Sequence, residues 1–264
     1  MDLQLKGQLA LVTGSTSGIG KGIAIALLKE GARVVVNNHS EDRFDSVREE
    51  MLSYGDAYFI RADVTKTDEV NEMIQKIYDE LGELDIVVNN VGWWDAREFV
   101  EITDEDWAKM MDVNFYSAVR VCRACLPAML KRNYGRILNI SSEVAYKPLN
   151  NMLHYSVAKT ALLALSRGLA QIAKESNVCV NSFLPGPVWT PGEAAYQAKM
   201  AEELGKDLDD YISDFFAEHE PTSIQRRFLS VEEIANAVAF YVSPLASAAT
   251  GASIRIDGGI VKFL

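Results

Sequence analysis

The sequence predicts an α/β fold in which one parallel sheet is doubly wound, with helices covering both faces. Three observations predict it. Seven short, apolar, β-rich runs alternate with helix-like segments along the chain. The runs are apolar at consecutive positions rather than at every second one, as in strands buried on both faces. The first run also leads straight into a glycine-rich turn, TGSTSGIG, that opens a helix.

The elements follow in order. LALVT at 9–13 gives the first strand and the segment near 20–30 the first helix. RVVVN at 33–37 is followed by a helical pattern at 40–53, and AYFIRAD at 57–63 by one at 67–81. LDIVVNN at 84–90 precedes a long helical stretch at 104–132. RILNISS at 136–142 precedes an apolar helix at 155–175, and VCVNSFLPG at 178–186 is the sixth strand. SVEE at 230–233 is a capping box that opens a helix at 231–241, and SIRIDGG at 253–259 closes the sheet.

One segment has no place in this alternation. TPGE at 190–193 supplies Thr as a helix cap, Pro at the first helical position and Glu at the third. The acidic, aromatic-bearing stretch behind it predicts a helical substrate lid at about 190–225, since such insertions follow the carboxyl ends of strands. No linker or repeat interrupts the chain, so residues 1–264 are expected to form a single domain.

A net charge of -11 and a pI near 4.8 argue against nucleic acid or an anionic membrane as partner, because like charges repel. There is no basic segment leading an apolar run at the start and no apolar stretch of membrane-spanning length, so a cytoplasmic protein is expected. The three cysteines fit free thiols; Cys122 and Cys125 spell CxxC in mid-helix, away from the helix start that would activate them. No metal ligand set is expected.

Chemistry centres on HYSVAK. Tyr155 and Lys159 are four residues apart, so on a helix they project from one face. A phenol transfers a proton poorly at neutral pH unless a nearby cation stabilises the phenolate, and a lysine one turn away is such a cation. Glycines Gly14, Gly18 and Gly20 let the backbone turn tightly and approach a phosphate, which the free N–H groups of the helix start attract.

With TGSTSGIG, NNVG at 89–92, DVNF around Asn114, ISS ending at Ser142, YSVAK and PGPVWT at 185–190, the chain resembles the short-chain dehydrogenase/reductase family over its whole length. Similar members include 3-oxoacyl-carrier-protein reductases. The resemblance implies a Rossmann fold and hydride transfer between a nicotinamide cofactor and a small alcohol or carbonyl compound. It implies Tyr155 as general acid/base, Ser142 as hydrogen-bond partner of the substrate oxygen, Lys159 as holder of the nicotinamide ribose, and Asn114 as the stabiliser of a helix kink. Cofactor contacts are implied for Ser15, Ser17, Ile19 and the turn glycines. They are implied also for Asp63, Val64, Asn90 and Gly92, and for Pro185, Gly186, Val188 and Thr190 after the sixth strand. Trp93, Trp94, Glu143 and Trp189 are candidate substrate contacts. His154 falls on another helical face than Tyr155 and is expected in a supporting or surface position.

The second strand ends in VVVNNHSED. Asn38 stands where an acid would repel a 2′-phosphate, with His39 and Ser40 behind it, so NADP(H) is favoured over NAD(H). The acidic lid is the wrong sign for an acidic carrier protein unless Arg132, Arg226 or Arg227 supply a basic patch. The alternatives are a sugar or polyol dehydrogenase, a 3-oxoacyl thioester reductase, or a dinucleotide-binding regulatory protein without turnover. A homotetramer is expected, joined through the DVNF and YSVAK helices and the apolar tail GGIVKFL.

Overall fold

A computed structural model describes residues 1–263. Seven parallel strands form one sheet in the order β3-β2-β1-β4-β5-β6-β7. They are β1 (Leu9–Val12), β2 (Arg33–Asn38), β3 (Ala57–Arg61), β4 (Ile86–Asn89), β5 (Gly135–Ile140), β6 (Val178–Pro185) and β7 (Ser253–Ile256). Ten α-helices accompany them among the described residues. These are α1 (Gly18–Lys29), α2 (Asp42–Asp45), α3 (Arg48–Tyr54), α4 (Thr67–Glu80), α5 (Asp104–Met111), α6 (Ser117–Lys131), α7 (Leu153–Ile172), α8 (Pro191–Glu203), α9 (Leu208–Glu218) and α10 (Val231–Tyr241).

The central strands β1, β4, β5 and β6 bury both faces, so alternate residues enter two separate cores. On β1, Ala10 and Val12 join Ile23, Leu27, Ile234 and Val238 of α1 and α10, whereas Leu9 and Leu11 join α4 and α6. The amphipathic pattern of α4 fits this: Val70, Met73, Ile74 and Ile77 lie on one stripe and are buried. Strand order reverses between β1 and β4, and the crevice outside their carboxyl ends is where doubly wound sheets hold ligands.

Three expectations change. The long helix at 104–132 is interrupted by a π turn, Asp112–Tyr116, between α5 and α6. The helix at 40–53 divides into α2 and α3 around Ser46 and Val47. The tail is not an exposed apolar patch, because Ile260 is 1% and Val261 8% exposed, leaving Phe263 outside at 57%. Cys122 and Cys125 are buried packing residues; burial pushes the Cys122 thiol up to about 12, far from a reactive thiolate. No helix of the described residues is long and apolar enough to cross a membrane.

Candidate active site

A cleft of about 1030 Å³ runs across the carboxyl ends of the strands, from the glycine turn to the inner side of α8 and α9. Its floor begins at Gly14, whose φ of +62° suits a residue without a side chain. Asn90 fixes this turn from the end of β4: its Nδ2 donates to the Thr13 and Gly14 carbonyls at 3.0 and 3.2 Å. A Cβ on Gly20 would lie 2.4 Å from both Asn90 Nδ2 and the Gly14 oxygen, so the helix must start with glycine to pack here. Ser17 caps α1 without a side-chain hydrogen bond, and no acid occupies the first turn. The uncapped N–H groups at the cleft therefore suit a phosphate.

Along the β2 side, Asn38, His39, Asp63 and Val64 line the cleft. Asn38 is already engaged, donating to Thr16 Oγ1 at 2.7 Å and accepting from the Ser40 N–H at 2.9 Å. Asp63 accepts from the Thr65 N–H and hydroxyl. Burial works to raise its pKa, and those two bonds, with Lys66 and His39, overcome it and hold the carboxyl low. Arg61, which the sequence reading passed over, donates from Nε to the His39 carbonyl at 3.2 Å and pairs with Glu69 at 3.1 Å.

The opposite wall carries Ser142, Tyr155 and Lys159 together, with Gly92 across from them. Lys159 is 3% exposed; its Nζ donates to the Ile140 carbonyl at 3.0 Å and lies 5.5 Å from the centre of the Tyr155 ring. Burial lowers Lys159 to about 8. The phenol is not depressed, contrary to the expectation from its neighbour. Burial pushes Tyr155 up, Glu143 and Glu193 add to this, and only the Ser142 hydroxyl works the other way. The free chain thus holds Tyr155 firmly protonated. A Cβ on Gly92 would meet Asn114 Oδ1 at 3.0 Å and Lys159 Nζ at 3.2 Å, so this glycine permits the close approach.

Asn114 lies in the π turn and is 1% exposed. Its Nδ2 donates to the Trp93 carbonyl at 2.8 Å and to the Met110 carbonyl at 3.2 Å, and its Oδ1 accepts from the Trp93 N–H at 3.2 Å. Thr190 caps α8, accepting from the Glu193 N–H at 3.1 Å, and its hydroxyl hydrogen stays free to donate. Pro185, Gly186 and Val188 line the cleft beside it.

Several named residues lie elsewhere. Ser15 is fully buried behind the turn, donating to the Val12 carbonyl at 2.7 Å and accepting from the Asn37 N–H at 3.0 Å, so it has no reach to the cleft. Gly18 and Ser40 do not line it, and Gly18 serves as a left-handed joint with φ of +52°. Trp189 turns into an aromatic cluster, 5.0 Å from the Phe228 ring, which in turn stacks on Phe215 of α9. His154 is fully buried rather than near the surface, edge-on to Trp107 at 5.9 Å, with neither ring nitrogen bonded to a protein group.

Trp93, Trp94 and Glu143 do line the cleft. Trp93 carries the Lys109 ammonium over its ring at 4.3 Å, and Trp94 meets Tyr196 of α8 edge-on at 5.2 Å. The inserted helices also bring Glu193, Gln197 and Tyr211, with Glu220 behind them in an ion pair with Lys147. A second feature escaped the sequence. Asn89, Asn139, Ser166 and Ser182 form a buried hydrogen-bonded chain, each link 2.8 Å, that joins β4, β5 and β6 to α7. Only their common burial, which no local pattern announces, could have marked them.

A doubly wound sheet with a glycine turn at its switch point and a Ser, Tyr and Lys along one cleft wall defines an oxidoreductase built to hold a dinucleotide. The chain belongs to the short-chain dehydrogenase/reductase family. The family model described as Enoyl-(Acyl carrier protein) reductase matches residues 14–261. An uncharacterised oxidoreductase of Bacillus subtilis, YvrD, is 48% identical, with all of both chains covered. A 3-oxoacyl-acyl-carrier-protein reductase of Aquifex aeolicus is 34% identical over 98% of this chain and 100% of its own. The crystal structure of L-sorbose reductase from Gluconobacter frateurii, complexed with NADPH and L-sorbose, superposes with a TM-score of 0.93 at 32% identity, covering both chains completely.

Proposed function

We propose that this enzyme interconverts a small polar carbonyl compound and its alcohol with NADP(H), and that 1–264 is one catalytic domain with 190–225 as its substrate lid. The observation that carries the reading is the convergence of Ser142, Tyr155 and Lys159 on one wall of a cleft that begins at a phosphate-sized glycine turn. When bound, the cofactor supplies or accepts the hydride. Gly14, Ser17, Ile19 and Gly20 would hold its phosphates, Asp63, Val64 and Asn90 its adenosine side, and Pro185, Gly186, Val188 and Thr190 its nicotinamide.

In reduction, Tyr155 gives its phenolic proton to the substrate oxygen, and Ser142 donates a hydrogen bond to that oxygen as charge develops. The free chain holds the phenol protonated, and the transfer needs a nearby cation to stabilise the phenolate. Lys159, close enough to Gly92 to reach a ribose at the cleft floor, holds the cofactor and stabilises the phenolate left behind.

NADP(H) is favoured because no acid stands at Asn38 to repel a 2′-phosphate and His39 lines the cleft there, and because the sorbose reductase holds NADPH. A hydroxylated substrate, as in a sugar or polyol, is supported by the polar lining of Glu143, Glu193, Gln197 and Tyr211. An acyl-carrier thioester is less favoured: Arg227 is committed to Glu233 at 2.7 Å and Arg132 to Asp85 at 3.0 Å, which leaves the exposed Arg226, alone of the three, to meet an acidic carrier. The test is NADPH and NADH oxidation with panels of sugars, simple ketones and 3-oxoacyl thioesters. Turnover of hydroxylated ketones with NADPH preferred is expected; thioester turnover with NADH would overturn both choices.

A further inference from the structure

The Ser142 hydroxyl has a partner that its proposed role does not require. Its oxygen lies 2.5 Å from Glu143 Oε2 and accepts from the Val144 N–H at 3.3 Å. Glu143 is 7% exposed at the cleft wall and forms no ion pair among the described residues. The charged and titratable groups around it are Lys147 and Glu220, which pair with each other, and Tyr155 of α7, with Glu193 of α8 beyond. Burial raises the carboxyl to about 7; the Ser142 hydroxyl and its own backbone N–H work downward, Glu220 upward and Lys147 downward.

We propose, resting on the reading above, that Glu143 is a positioning residue whose protonation sets which way the Ser142 hydroxyl points its hydrogen, and so whether that hydrogen is available to the substrate oxygen. A hydroxyl has one hydrogen and two lone pairs. With Glu143 protonated, its O–H donates to Ser142, the Val144 N–H fills the second lone pair, and the Ser142 hydrogen is left for a carbonyl oxygen. With Glu143 ionised, the carboxylate takes the Ser142 hydrogen. What then remains toward the substrate is a lone pair, which repels a carbonyl oxygen. Low pH thus prepares the site to reduce a ketone, and high pH withdraws the Ser142 hydrogen from it.

The test compares wild type with Glu143→Gln, whose amide is the same size and cannot titrate, in ketone reduction over pH 5.5–9. Wild-type kcat/KM for reduction should fall across a midpoint near 7. In the variant that midpoint should vanish, so the variant-to-wild-type ratio for reduction grows about thirtyfold between pH 6 and 8.5. A second readout needs no turnover. A buried acid with a raised pKa is stabilised by its proton, and that stability is lost as pH rises from the unfolded value toward 7. The melting temperature of the variant relative to wild type should therefore rise from pH 5 to 7 and level off above. Turnover with the midpoint unmoved in the variant, or a flat melting difference, overturns this inference alone. Absence of turnover with every carbonyl, despite the melting shift, overturns the functional reading and this inference with it.

Discussion

The Asn114 amide closes both backbone groups of Trp93, accepting from its N–H at 3.2 Å and donating to its carbonyl at 2.8 Å. The strand-end segment opposite Lys159 is thus fixed by a side chain that a π turn delivers. Asn114→Ala should leave the part-buried N–H and carbonyl of Trp93 without this partner and take one donor from the buried Met110 carbonyl. We expect a stability loss of about 1–3 kcal/mol and a kcat/KM loss on the order of a hundredfold through misplaced neighbours. Urea unfolding and steady-state rates check this. A variant with normal kinetics would mean that Trp93 needs no such anchor.

Gly20→Ala sets helix propensity against packing. Alanine in a helix gains about 1 kcal/mol over glycine, but its Cβ would sit 2.4 Å from Asn90 Nδ2 and the Gly14 oxygen. The clash should win, giving net destabilisation of about 1–3 kcal/mol and weaker NADPH binding by fluorescence titration. Gly168→Ala in α7, with nothing within 4 Å of the added carbon, is the control and should stabilise.

Lys159 links pH to folding. Its pKa falls from 10.5 unfolded to about 8 folded, because burial opposes the charge. Below 8 the buried ammonium carries its full penalty; between 8 and 10.5 the folded chain sheds the proton while the unfolded chain keeps it, so stability rises with pH. Relative to Lys159→Met, wild type should gain up to about 3 kcal/mol across that window. Activity runs the other way: the variant should lose both rate and NADPH affinity. A loss confined to rate would show that the lysine does not hold the cofactor.

The association we predict is a homotetramer through the faces of the π turn and α7. Tyr116 at 48% and Val157 at 42% exposure are apolar groups left outside on these elements. Light scattering should return four chains, and Val157→Glu should reduce the mass. A monomer at micromolar concentration would contradict the prediction.

Much of the fold was legible because strand burial and helix periodicity are local signals. All seven strands and the Tyr155–Lys159 pairing follow from them. What depended on distant packing was not. Asn89 meets Asn139 fifty positions away, and the π turn is a change of backbone register that leaves the apolar pattern intact. The helical wheel turned His154 away from Tyr155 but could not foresee Trp107 burying it. Trp189 read as a wall of the site because it adjoins Thr190; Phe228 claims it instead.

The central claim is that Tyr155 passes the proton in a reaction whose cofactor is held by other groups. Tyr155→Phe tests it most directly, with rate and NADPH binding measured on the same preparation. The ring still packs without its hydroxyl, so the dissociation constant for NADPH should stay within about threefold while kcat falls by a thousandfold or so. A variant that keeps the wild-type rate would contradict the account.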